Sequence, residues 1–264
     1  MGLNGYSCQT GYISLTNGIE DSTTHRKNIS SMINIEKLKQ EVCDANIALV
    51  SHELVIFTWG NVSAIDRTSG LVTIKPSGID YNAMKPEDMV VLDLDGNVVD
   101  GKLKPSSDAP THLELYHTFS QINAVVHTHS TYATAWAQAQ RAIPCFGTTH
   151  ADYFYGKIPC TRPMSTDEIK TDYELNTGRV IVETFKKLNI EAAQMPSVLV
   201  ANQGPFSWGK NANDAVHNAV VLEELAKMAL LTERINKDAS EISRDLLDKH
   251  YLRKHGKNAY YGQS

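Results

Sequence analysis

The sequence predicts a mixed α/β fold, a three-layer α/β/α sandwich around a largely antiparallel central sheet. Two observations predict it. Short β-rich runs are joined by tight polar turns, the linkage of antiparallel strands. Helical stretches flank and interrupt these runs without the regular strand–helix–strand alternation of a parallel sheet.

Residues 1–31 hold Gly2, Gly5, Gly11 and Gly18 among Ser, Thr and Asn, with few apolar side chains. Such a stretch buries too little apolar surface to order itself. It also lacks the charged, apolar and small-residue succession of a signal peptide. With the lead-in to Ile35 it is taken as a disordered extension over residues 1–34, and residues 35–264 as a single domain. From Ile35 the apolar residues Ile35, Leu38, Val42, Ala45 and Leu49 recur at spacings of three and four, an amphipathic helix. Val55–Asp66 and Gly70–Lys75 are β-rich and read as a hairpin. Met89–Leu94 and Asn97–Val99 flank Asp95-Gly96, a second hairpin signal. Ser106-Ser107-Asp108 precedes a helix carrying His112, Leu115, Tyr116 and Phe119, and Ser or Asp there suits an N-cap. Ala124–Thr128 is a short apolar strand, Tyr132–Ala139 a small-residue helix and Ser197–Ala201 a further strand. Long and short helices over Asn211–Arg234 and Leu246–Lys254 complete the domain.

The 264 residues are 42% hydrophobic and 21% charged with a net charge of −5, an ordinary globular composition. No basic stripe points to nucleic acid, and no apolar run approaches the ~20 residues that span a bilayer. The four cysteines, Cys8, Cys43, Cys145 and Cys160, are widely spaced and read as reduced thiols of a cytoplasmic protein. Gly204 to Asn211 approaches a nucleotide-binding P-loop. However, Asn211 stands where magnesium needs a hydroxyl and Pro205 removes an amide, so no nucleotide cofactor is expected.

Three groups of residues carry chemistry. His127-Thr-His129 places two imidazoles on one face of a strand, where they point at one ion or simply face hydrogen bonds or solvent. Asp108 could add a carboxylate. Gly60-Asn61, Lys75-Pro-Ser77-Gly78 and Ser106-Ser107 end or follow apolar runs and offer amides, hydroxyls and a cation to a phosphate; each alone reads as an ordinary hairpin turn, and the three together beside a candidate metal site point to a phosphorylated substrate. Thr148 to Tyr155 sets Asp152 among aromatic residues, where a carboxyl has either a raised pKa suited to proton transfer or a plain capping role. The C-terminal Lys249 to His255 and Tyr260-Tyr261 are rich in basic and aromatic groups, a tail expected to dock, on a neighbouring subunit, rather than fray.

In chain order, Trp59-Gly-Asn-Val-Ser63, Lys75-Pro-Ser-Gly78, Pro105-Ser-Ser-Asp108, His127-Thr-His129, Gly147-Thr-Thr-His-Ala-Asp-Tyr153, Gly204-Pro-Phe206, Asp214-Ala-Val-His-Asn218 and the ending from Lys249 to Gln263 resemble the class II aldolase/adducin-head family. The Thr-Thr-His-Ala-Asp-Tyr and Tyr-Tyr-Gly-Gln segments resemble its L-ribulose-5-phosphate 4-epimerase branch. The resemblance runs from Ile35 to Gln263. It implies a metal-dependent epimerase that interconverts L-ribulose 5-phosphate and D-xylulose 5-phosphate by breaking and remaking the C3–C4 bond. It implies zinc on Asp108, His127 and His129, and substrate phosphate on Gly60, Asn61, Lys75, Ser77, Gly78, Ser106 and Ser107. It further implies Asp152 and Tyr261 as the acid–base pair, Tyr261 from an adjacent subunit, with His250 assisting. The implied assembly is a C4 homotetramer with active sites between subunits.

One residue departs from the family pattern. Gln203 stands directly before Gly204-Pro-Phe206, where the family carries a third metal histidine. Three readings are open: Gln203 ligates weakly or through water, the site favours a harder ion such as manganese, or the residue is a lesion in a poor enzyme or a silent scaffold. A class II aldolase acting on a related sugar phosphate is the alternative activity.

Overall fold

The computed structural model describes Met1 and residues 22–261. Helix α1 (Ser22–Ser51) precedes the hairpin of β1 (Gly60–Asp66) and β2 (Leu71–Ile74), and β3 (Val90–Leu92) and β4 (Val98–Asp100) form a second hairpin. Helix α2 (Ala109–Thr118), β5 (Ala124–Thr128), α3 (Thr131–Gln138) and two short helices, α4 (Thr148–Ala151) and α5 (Thr166–Lys170), follow. The chain ends with α6 (Tyr173–Leu188), β6 (Ser197–Val200), β7 (Gly204–Gly209), α7 (Ala212–Ile235) and α8 (Arg244–His255).

The seven strands form one sheet in the order β4-β3-β2-β1-β5-β7-β6. Every neighbouring pair is antiparallel. Strand pleating sends alternate side chains to opposite faces. Val62 and Ala64 of β1 and Ala124 and Val126 of β5 pack with α1 and the first half of α7. Ile65 and Val125 face the other way, into a larger core with α2, α3 and α6. The three-layer antiparallel expectation is met. On the α2–α6 side, Phe119, Phe185 and Trp208 form an aromatic triangle with ring centroids 5.2–5.6 Å apart. Trp208 donates its indole N–H to the Ala192 carbonyl at 2.8 Å, so the polar tip of this buried ring is satisfied.

Several elements differ from their sequence reading. The first helix begins at Ser22, ahead of Ile35 and inside the stretch taken as a disordered extension. No Gly or Pro interrupts Ser22–Ile35, and once a helix is nucleated each added residue gains a hydrogen bond. Residues 2–21 of that extension lie outside the described residues. The first strand begins at Gly60, not Val55. Phe57 adopts a left-handed φ of 54°, which ends an extended run, and Ile56, Phe57 and Trp59 project outward. Strand β7 and helices α5 and α6 were not anticipated. In β7 two glycines and Pro205 mask the strand signal; Pro205 is tolerated because it lies beyond the last residue that β7 pairs with β5. Helix α6 is amphipathic, with Val180, Ile181 and Phe185 buried, and it stops at Asn189 in the left-handed conformation.

Helix α7 starts at a true N-cap: the Asn211 side chain accepts the Asp214 amide at 2.8 Å. Asn211→Ala is expected to lower stability by about 1 kcal/mol, as a shift in the urea midpoint with unchanged slope. Among the described residues no helix is long and apolar enough to cross a membrane. Cys43, Cys145 and Cys160 are free. Burial pushes their thiols up, to about 11, 12 and 11, so they are poor nucleophiles at neutral pH.

Candidate active site

Strands β1 and β5 lie side by side with Asn61 opposite His127 and Gly60 opposite Thr128. This pairing joins the N-terminal and C-terminal halves of the site. Gly60 has a φ of +123°, and a Cβ there would come within 2.8 Å of the His127 carbonyl oxygen. Only glycine lets β1 approach β5 this closely without strain.

The turn after β2 brings Lys75 to Gly78 beside Ser106 and Ser107. The Ser106 amide donates to the Lys75 carbonyl at 2.9 Å and the Ser77 amide to the Lys104 carbonyl at 2.9 Å. Lys75 is 2% exposed. Its ammonium donates to the Pro76 carbonyl at 3.2 Å and lies 4.9 Å from the Tyr81 ring centroid. Burial lowers the Lys75 pKa, while the charge of Asp80 opposes this. Among the described residues no carboxylate forms a salt bridge with Lys75. A buried cation without a counter-ion is costly in free energy and is relieved by an anion in the adjoining space.

Asp108 stands at the N-cap of α2, but its carboxylate caps no amide. It accepts instead from Asn61 Nδ2 at 2.7 Å, so the expected cap is replaced by a contact across the site. Helix α2 is held by a buried network in which Ser63 Oγ meets His112 Nδ1 and the Tyr116 hydroxyl, each at 2.7 Å. Burial drives the pKa of His112 down to about 3, so its ring is neutral.

His127 stacks on Phe206 with centroids 4.2 Å apart. Its Nδ1 lies 3.0 Å from the Pro205 carbonyl oxygen. A carbonyl only accepts, so Nδ1 carries the proton and the lone pair sits on Nε2. That Nε2 is 3.2 Å from His129 Nε2. Two imidazole nitrogens bound to one ion at ordinary Zn–N lengths stand about 3.0–3.4 Å apart. Burial first, and then the neighbouring His127 imidazole, which disfavours a second positive charge beside it, lower the pKa of His129, which favours the neutral, metal-binding form. Gln203 Oε1 is buried and has no hydrogen-bond partner among the described residues. Among the described residues no three His, Cys, Asp or Glu side chains are already gathered around one point, and the Asp108 carboxylate is engaged with Asn61.

A cavity of about 670 Å³ is lined by all eleven residues assigned by sequence to phosphate and metal: Gly60, Asn61, Lys75, Ser77, Gly78, Ser106, Ser107, Asp108, His127, His129 and Gln203. Their donors fit a divalent ion and a phosphate: two imidazoles at chelating separation, a carboxylate, an unpartnered amide oxygen and an unpaired buried ammonium. Thr134 and Gln138 of α3 also line it and were missed. The Thr134 hydroxyl is buried without a partner among the described residues. A polar pair four apart in an alanine-rich helix directly after His129 was the available signal.

Asp152, His250 and Tyr261 do not line this cavity. They gather in a second cluster between α4 and α8. Asp152 Oδ1 lies 3.0 Å from His250 Nδ1, and Arg253 Nη2 donates to both carboxylate oxygens at 3.0 and 2.9 Å. Lys254 Nζ is 3.4 Å away. Burial opposes ionisation of Asp152, but hydrogen bonds from Arg253 and His250 and the charge of Lys254 outweigh it and hold the carboxyl below the usual range. The raised pKa among aromatics is therefore corrected: cations, not rings, dominate this carboxylate. The tail folds back on its own α8. The Tyr260 and Tyr261 amides donate to the Arg253 carbonyl, and the Tyr261 ring centroid is 4.7 Å from Arg253 and from Lys254. Tyr261 is 59% exposed.

A model of the class II aldolase and adducin N-terminal domain matches residues 40–230. The solved structure of an L-fuculose 1-phosphate aldolase is 27% identical, with a TM-score of 0.70 over 82% of this chain and 95% of that one. YgbL from Escherichia coli is 23% identical, with a TM-score of 0.65 over 81% and 98%. An L-fuculose-1-phosphate aldolase from Thermus thermophilus shares the fold at 20% identity and a TM-score of 0.59 over 78% and 98%. With the family model spanning most of the chain, this chain belongs to the class II aldolase and adducin N-terminal domain family.

Proposed function

We propose that this chain is a divalent-metal-dependent enzyme that opens and recloses a carbon–carbon bond of a ketose phosphate, the L-ribulose-5-phosphate 4-epimerase reaction that yields D-xylulose 5-phosphate. The observation that carries the reading is one cavity in which an unpaired Lys75 and two serine turns face His127 and His129. The phosphate is held by Lys75, by the hydroxyls of Ser77, Ser106 and Ser107, by Asn61 and by the turns at Gly60 and Gly78. His127, His129 and Asp108 hold the ion, zinc or manganese. When bound, the ion supplies Lewis acidity to the C2 ketone and C3 hydroxyl.

The residues then divide the work. The C4 hydroxyl loses its proton to a base and becomes an aldehyde. The C3–C4 bond breaks, and its electrons stay on C3, conjugated with C2. The phosphate cradle retains the two-carbon fragment so that its aldehyde turns and presents the other face. A second proton-transfer group on that face supplies the proton as the bond reforms, which inverts C4. Asp152 and Tyr261 are assigned to this pair, with His250 orienting Asp152. As the family resemblance implies, these groups serve the cavity of a neighbouring subunit in a homotetramer, a reading supported by their position outside their own chain's cavity.

A second reading, aldol cleavage with release of both fragments, is favoured by the likeness to an L-fuculose 1-phosphate aldolase. Incubation of the metal-loaded protein with L-ribulose 5-phosphate separates the two. The expected product is D-xylulose 5-phosphate without free fragments. Accumulation of glycolaldehyde phosphate and dihydroxyacetone instead makes it an aldolase, and an unchanged substrate refutes both.

A further inference from the structure

We propose that Gln203 is itself a metal ligand through Oε1, and that this oxygen donor moves the site's preference from zinc toward a harder divalent ion such as manganese. The inference rests on the reading of the cavity as a metal site and identifies the donor set of that site.

An amide oxygen left buried and unpaired costs about 1–3 kcal/mol. Gln203 Oε1 is such an atom, and it belongs to a side chain lining the same cavity as His127 and His129. Its backbone is fixed. The Gln203 amide donates to the Val200 carbonyl at 3.0 Å in the tight turn between β6 and β7, and Asn202 before it adopts a left-handed φ of 66°. The next residue presses on the histidine strand: a Cβ on Gly204 would stand 2.8 Å from the Thr128 carbonyl oxygen and 3.6 Å from His127 Cε1. The orphaned oxygen is therefore carried on a turn whose next residue abuts His127, by a side chain that lines the same cavity as both imidazoles, where a cation would satisfy it.

An amide and an imidazole are both neutral ligands, so exchanging one for the other leaves the site's charge unchanged and alters only its softness. Zinc favours nitrogen and sulfur donors, whereas manganese and magnesium accept oxygen. The intrinsic order of divalent affinities still places zinc above manganese. The expected effect is a narrowed ratio between the two.

The test uses the full-length protein stripped of metal. Manganese(II) alone is titrated and the loss of the free-ion paramagnetic resonance signal is followed; zinc is measured by competition with a chromogenic chelator. Gln203→Leu is expected to weaken manganese binding about tenfold or more, since loss of even an outer partner costs roughly tenfold to hundredfold. Gln203→His is expected to widen the zinc-to-manganese affinity ratio about tenfold. A Gln203→Leu protein that keeps the wild-type melting temperature and the wild-type manganese affinity overturns the proposal. Should that variant fail to fold, an unchanged ratio in Gln203→His overturns it equally. His127→Ala separates the two levels. If it loses manganese while Gln203→Leu keeps it, the metal site stands and Gln203 is not a ligand; if the wild-type protein takes up neither ion, both readings fall.

Discussion

Replacing His127 by alanine is expected to lower kcat/KM for L-ribulose 5-phosphate by about a thousandfold or more. The ring contributes one of two nitrogens held 3.2 Å apart, and its tautomer is set by the Pro205 carbonyl. Polarisation of a ketone by a bound ion is worth several kcal/mol of transition-state stabilisation, and each 1.36 kcal/mol is a factor of ten in rate. The fold should tolerate the change, because β5 keeps its ladders with β1 and β7. Steady-state kinetics coupled to D-xylulose 5-phosphate formation, with circular dichroism as the folding control, checks it. A loss of less than tenfold would remove His127 from the chemistry.

The metal-free protein is expected to lose several kcal/mol of stability between pH 6.5 and 4. His150 is buried with its Nε2 2.8 Å from the Gly156 carbonyl oxygen. Burial lowers its pKa to about 4, against the raising effects of that hydrogen bond and of Glu241. His112 is lowered further, to about 3, again by burial first. In the unfolded chain both titrate near 6.5. As pH falls below 6.5 the unfolded state binds protons that the folded state refuses, so stability declines until the folded values are reached. At about 1.4 kcal/mol per pKa unit, His150 alone accounts for about 3 kcal/mol, a large share of a typical total of 5–15 kcal/mol. Above pH 6.5 the term is constant. Urea unfolding at pH 7, 6, 5 and 4 measures the decline, and His150→Gln should flatten its share of it. A level profile over that range would show that these imidazoles are not sequestered from protons.

The cavity was largely legible because its parts are short local signals whose meaning does not depend on distant packing. Strand β5 sets the direction of His127, His129 follows one residue past its end, and glycine- and serine-bearing turns expose amides wherever they occur. What local patterns do not carry is where an ionisable group finds its partners. Asp152 was placed among its sequence neighbours Tyr153 and Tyr155, yet its charge is governed by His250, Arg253 and Lys254, about a hundred positions away in sequence. Asp108 suits a helix cap by its position, but Asn61, across the site on β1, takes the carboxylate. Strand β7 was illegible for a related reason. Its glycines and proline have low strand preference, and flanking strands on both sides impose its conformation.

The place of β5 in the sheet has one more consequence. Its alternation is locked by a ladder on each side, so the chemistry hangs on the parity of one short strand. A single-residue deletion between Phe119 and Ala124 that shifted β5 by one step would turn His127 toward the face where Ala124 and Val126 now meet α1 and α7, and part it from His129 just past the strand's end. Changes of length at the outer strand β4 would carry no such penalty, since nothing reactive is borne there. Changes of length are thus tolerated at β4 and not at β5.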